Sequence, residues 1–177
     1  MGMDGSLLQC ECMISRRDFL MLLGTTIFLP AAFKTTDPRL EFFELLKNDP
    51  DQERPQLLWS WELSAIASAR AQEIALSGLW SHCNVDGTYC ANDSVIDGGI
   101  QLPENYTRGR NDVESLVAGS PNVSVMFEAL KNSSGHNPHM MGVGEHFRLQ
   151  NWCGVGLYQD ANTRYGWYYS ILLTRLA

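Results

Sequence analysis

The chain has 177 residues, 45% apolar and 19% charged, a composition of folded rather than disordered protein. Its 13 Lys and Arg against 20 Asp and Glu leave a net charge of −7, and no basic run interrupts the excess. That argues against nucleic acid as a partner, because phosphate binding needs clustered cations. No apolar run approaches the roughly 20 residues that cross a bilayer.

The first 32 residues have the plan of an export signal. Ser15-Arg16-Arg17-Asp18-Phe19-Leu20 leads into a short apolar stretch, Met21 to Leu29, and then Pro30-Ala31-Ala32. The paired arginines resemble a twin-arginine signal, although Met21 stands where that signal often carries a lysine. No cysteine follows the apolar stretch, so no lipid anchor is expected. The residues before Met13 fit no part of a signal, and the start codon is either Met1 or Met13. A mature chain beginning near Phe33, secreted or periplasmic, follows from this reading.

Residues 33–56 read as a leader segment that packs on the domain, with a short helix around Leu40 to Leu46. Ser60 then suits an N-cap, Glu62 favours the first turn, and Leu63, Ile66, Ala67, Ile74 and Ala75 recur at helical spacing. With Gly78 as the stop, the spacing predicts a helix from Trp61 to Ser77. From Ser81 to Gly109 the composition turns to Gly, Asn and Asp and predicts a long loop with a short strand at Tyr106. A short helix is expected over Asp112 to Ala118. Ser120-Pro121 opens another, with Val123, Met126, Phe127 and Leu130 inward and Gly135 as its end. Trp152 to Gln159 and Gly166 to Thr174 alternate like strands around a polar loop and predict a β-hairpin. Helices followed by a terminal hairpin give an α+β fold.

His82 follows the first long helix, and His136 the later one; Glu104 lies between them in Pro103-Glu104-Asn105-Tyr106. Two imidazoles and a carboxylate suit a divalent ion such as zinc, with water as fourth ligand. His139 is three residues beyond His136, but Pro138 predicts a non-helical backbone there. Glu145-His146 reads as solvated loop, and the aromatic residues of the last strand as core packing. Four sequons, at Asn92, Asn105, Asn122 and Asn132, read as chance behind a bacterial signal.

Trp59 to Ala75, Trp80-Ser81-His82, Glu104-Asn105-Tyr106, Phe127 to Met141, Cys153-Gly154-Val155-Gly156 and Trp167-Tyr168-Tyr169 occur in an order that resembles the CAP superfamily. This is the family of cysteine-rich secretory proteins, antigen 5 and pathogenesis-related proteins, with SCP-like extracellular domains. The resemblance spans Leu57 to Leu173 and implies a CAP domain over 57–177. It implies an α–β–α sandwich and a central cavity lined by two histidines and two acidic residues. His82 and His136 match the histidines, and Glu104 matches one acid. Pro103 replaces the usual glycine, Ser133 stands where the second acid is expected, and Leu130 stands where a tryptophan is usual.

Three cysteines remain after the signal. Cys83 and Cys90 flank an Asp86-Gly87 turn and are the first choice of disulfide; a bridge from either to Cys153 is the rival. No Gly-x-Ser-x-Gly elbow occurs. The resemblance implies a non-enzymatic module that binds a small hydrophobic ligand, such as a lipid or sterol, or a protein partner. The alternative is a metal-assisted hydrolase with Glu104 as general base.

Overall fold

The structure is a computed structural model and describes residues 37–176. The export signal and the start codon lie outside the described residues. Six helices and four strands follow in the order α1 (Pro38–Lys47), β1 (Leu58–Trp59), α2 (Trp61–Ser77), α3 (Ala91–Asp97), β2 (Glu114–Ala118), α4 (Val123–Lys131), α5 (Asn137–Met141), α6 (Glu145–Arg148), β3 (Trp152–Gln159) and β4 (Trp167–Thr174). The sheet order is β1-β3-β4-β2. β1 runs parallel to β3, and the other pairs are antiparallel. The fold is α+β, helices on a mixed four-stranded sheet. No described helix is long and apolar enough to cross a membrane.

The pleat of β4 sorts the core into two layers. Tyr169, Ile171 and Leu173 pack against Phe42, Phe43 and Leu46 of α1 and the buried face of α4. Leu172 and Tyr168 turn the other way, toward Leu63 and Ala67, and toward Ala71 and Ile74, of α2. The segment read as a leader therefore supplies part of the principal core through α1. On the α2 face, Gly154 and Gly156 of β3 let the helix backbone lie directly on the sheet. A methyl at Gly154 would overlap the Leu63 backbone, and one at Gly156 the Ala67 backbone.

Helix α2 begins and ends at the expected residues. The Ser60 hydroxyl accepts from the Leu63 amide at 3.1 Å, and Gly78 closes the helix at φ 69°. The hairpin also holds, with β3 and β4 joined by residues 160–166. The inward face of α4 is Val123, Met126, Phe127 and Leu130.

Other expectations are corrected. Glu114 to Ala118 is a strand, not a helix, because it completes the edge of β4 by pairing Glu114 with Leu172 through Ala118 with Tyr168. Both of its faces are buried, so the short run lacks the alternation that would mark it as a strand. Helix α4 starts later than Ser120-Pro121, with Asn122 as its cap, and stops at Lys131 before Gly135. The region from Ser81 to Gly109 contains α3, whose first turn is fixed by Asp93 accepting from the amides of Cys90 and Gly109, each at 2.8 Å. Tyr106 is in no strand; its ring is buried and stacks on His146 at 5.2 Å. Pro138 is compatible with α5 because it sits in the first turn, where its missing N–H has no intrahelical partner to lose. Glu145 and His146 are exposed, as expected, but in the short helix α6.

Candidate functional site

The edge strand β2 is a wall with a different polar cluster on each side. Glu114 points toward α2, and the next residue, Ser115, points toward α5. Asn111 sets the start of the strand: its side-chain oxygen accepts from the Glu114 amide at 2.9 Å, and its amide donates to the Glu114 carbonyl at 3.0 Å.

On the α2 side Glu114 is buried and fully engaged. Oε1 accepts from Ser170 Oγ at 2.8 Å and faces Arg70 Nε at 3.3 Å; Oε2 lies 3.1 Å from His82 Nδ1. Arg70 is itself 3% exposed and reaches Glu73 at 2.6 Å. Burial works against the Arg70 charge, but the carboxylates of Glu114 and Glu73 outweigh it and raise the guanidinium above its ordinary range. Arg70 also donates to the His82 carbonyl at 3.3 Å, so one buried cation orients both the backbone and, through Glu114, the ring of His82. The next residue, Cys83, forms the disulfide with Cys90, closing the loop that carries Asp86-Gly87. Cys153 is a buried free thiol, pushed up to about 12 by its burial.

His136 caps α5 and is half-buried. Its Nδ1 lies 2.8 Å from Ser133 Oγ, so the serine found in place of an acid is the group that orients this ring. Burial first, then the charge of nearby His82, lowers its pKa. The two rings are thus within electrostatic reach of each other. Neither Nε2 bonds to another described residue.

On the α5 side His139 is 6% exposed, with Nδ1 2.7 Å from Ser115 Oγ. Burial, then the Arg54 cation, holds its pKa well below the ordinary imidazole value, so the ring is neutral. Arg54 is buried, donating to the carbonyls of His139 at 2.6 Å, Met140 at 2.8 Å and Gln150 at 2.6 Å. Gln52 Nε2 and the Glu53 amide reach the carbonyls of Met140 and Met141 at 3.2 and 2.8 Å. These carbonyls end α5 and have no partners within it. Residues 52–54 are therefore a distant C-cap for α5, the helix that His136 caps and that carries His139. Without a carboxylate beside it, the Arg54 guanidinium is brought down by burial to about 10.

Glu104 is not in this group. It is exposed, in the turn closed by the Tyr106 amide on the Pro103 carbonyl at 2.8 Å, and its carboxylate makes no hydrogen bond or ion pair among the described residues. The carboxylate against His82 is Glu114. Composition marks Glu114 poorly, because Asp112-Val113-Glu114 reads as an exposed helical turn. Its available signal was Arg70 in α2, an arginine among apolar helix positions that needs a carboxylate partner. Among the described residues no three His, Cys, Asp or Glu side chains converge as a metal cage. Both Glu114 oxygens are occupied, which leaves two imidazole nitrogens where zinc takes at least three protein ligands. Among the described residues Glu104 is not brought together with His82 and His136.

No protein-family model matches the sequence, and no curated protein does. Two solved structures resemble the chain. One is an extracellular protein containing an SCP domain from Bacillus anthracis: TM-score 0.60, 17% identity, 78% of this chain matched to 40% of that one. The other is an outer surface protein from Borrelia burgdorferi: TM-score 0.57, 12% identity, 78% of this chain matched to 91% of that one. This chain spans less than half the length of the Bacillus protein. The four-stranded sheet with α2 on one face and α1 and α4 on the other is thus the CAP, or SCP-domain, fold.

Proposed function

We propose that the chain is an exported binding module whose ligand is met by the outward edges of His82 and His136. One observation carries this reading. Each ring is held at Nδ1 by a group of the protein, Glu114 or Ser133, while Nε2 bonds to no described residue. Rings fixed at one nitrogen are pre-organised to offer the other to the polar head of a small hydrophobic ligand or to a protein partner. Export is supported by the paired-arginine signal and by the two structurally similar proteins, one extracellular and one an outer surface protein.

A divalent ion at this site would rest on the two imidazoles, with its third ligand brought from outside the cluster. The hydrolase alternative asks Glu104 to act as base, and that carboxylate is exposed and has no polar partner among the described residues. The test is lipid extraction from protein exported by its native host, beside the His82→Ala/His136→Ala variant. A co-purified ligand that falls sharply in the variant is expected; equal ligand in both would defeat the reading.

A further inference from the structure

We propose that the groove between α1 and α4 docks a cationic amphipathic helix of a partner protein. The groove encloses about 680 Å³ and shares no residue with the histidine cluster. Leu40, Leu45 and Phe127 give it an apolar lining, over the edge-on contact of Phe42 with Phe127 at 5.7 Å. The rim has one sign: Glu41 and Glu44 on α1 and Glu128 on α4, all exposed.

The polar partners of these carboxylates are neutral. Asn48 donates to Glu44 at 2.9 Å and Asn132 to Glu128 at 3.3 Å, which leaves the negative charge intact. No lysine or arginine is among the described lining residues. Lys131 neutralises a fourth acid, Asp49 at one end of the groove, at 2.8 Å and is shared with Asp51 at 2.9 Å, so it is not paired with the three rim glutamates. An anionic amphiphile such as a fatty acid would bring its carboxylate against this rim. An amphipathic helix does the reverse, laying apolar residues at i, i+3 and i+4 spacing on the floor and lysines or arginines beside the rim. Charge complementarity therefore selects the occupant, with the apolar floor supplying affinity and the rim supplying orientation and on-rate.

The experiment is fluorescence anisotropy with a labelled Leu/Lys amphipathic helical peptide, its Leu/Glu counterpart and labelled oleate. The protein is the exported chain and its variant Glu41→Lys/Glu44→Lys/Glu128→Lys, whose fold is checked by thermal melting. The Leu/Lys peptide is expected to bind wild type, to weaken as salt rises and to bind the variant at least ~10-fold more weakly. The Leu/Glu peptide should bind the variant better than wild type. Leu40→Gln should weaken the Leu/Lys peptide without changing its salt dependence. Equal binding of that peptide to wild type and variant, no binding at all, or displacement of it by oleate from the same groove would overturn the proposal. The histidine reading survives each of these results, because its own test is made at His82 and His136.

Discussion

His82 Nδ1 lies 3.1 Å from Glu114 Oε2, and the same carboxylate faces Arg70 Nε at 3.3 Å through its other oxygen. One buried anion thus serves a buried cation and a half-exposed imidazole at once. Glu114→Gln keeps the shape but strands the Arg70 charge beside Glu73 alone, whose side chain is 51% exposed. Removing one partner of a buried pair costs about 3 kcal/mol. Chemical denaturation should show a loss of that size for Glu114→Gln. Glu104→Gln should change stability by less than about 0.5 kcal/mol, as exposed substitutions do. A large loss for Glu104→Gln would return the carboxylate role to that residue.

A second prediction concerns metal. Zinc uptake by the apo protein, followed by calorimetry, should be weak, should vanish in His82→Ala and in His136→Ala, and should be indifferent to Glu104→Gln. Two imidazole ligands without a third protein ligand are the reason. Tight stoichiometric zinc lost in Glu104→Gln would mean that the turn at Pro103–Tyr106 closes over the ion.

What the sequence revealed and what it concealed divide along physical lines. α2 was legible end to end because local signals, Ser60 and Gly78, bracket a long helical period. The terminal hairpin was legible because two long runs rich in aromatic and aliphatic residues, eight residues each in the structure, flank a polar loop. β2 was not, since five residues buried on both faces carry no period, and its identity comes from pairing with β4. The site followed the same rule. The histidines stand next to helix ends that local signals predict, so their positions in the chain were legible. Glu114 belongs to the strand that could not be seen, and the expectation settled on Glu104 instead. Arg54 was invisible for a related reason: its partners are backbone carbonyls 85 to 96 residues away.

That Arg54 clamp gives a third prediction. Arg54→Met preserves much of the side-chain volume but leaves the carbonyls of His139, Met140 and Gln150 without their donor in a buried place. Each lost partner costs about 1–3 kcal/mol. The variant should lose roughly 3 kcal/mol or more, and the His136 and His139 imidazole resonances should shift in NMR spectra because α5 loses its C-cap. Arg54→Lys, which cannot span three carbonyls, should recover only part of the loss. Unchanged imidazole resonances in a folded Arg54→Lys protein would deny the clamp any role in placing the histidines.

Acid should act through His139. Its folded pKa lies well below the ordinary 6.5, chiefly through burial, with the Arg54 cation adding to the effect, so below pH 6.5 the unfolded chain takes up a proton that the folded chain refuses. Stability from this group is therefore present above pH 6.5 and is lost as pH falls below it, toward the folded pKa. His136, lowered mainly by burial and secondarily by His82, adds in the same direction. Urea midpoints measured between about pH 7 and pH 5.5 should fall as pH is lowered, a window that lies above most carboxylate titration. His139→Gln cannot titrate. It should be less stable than wild type at pH 7, because Ser115 loses its imidazole partner, yet it should show a shallower decline across the window. If the two slopes are equal, the acid sensitivity belongs to other groups and His139 takes up its proton without unfolding the domain.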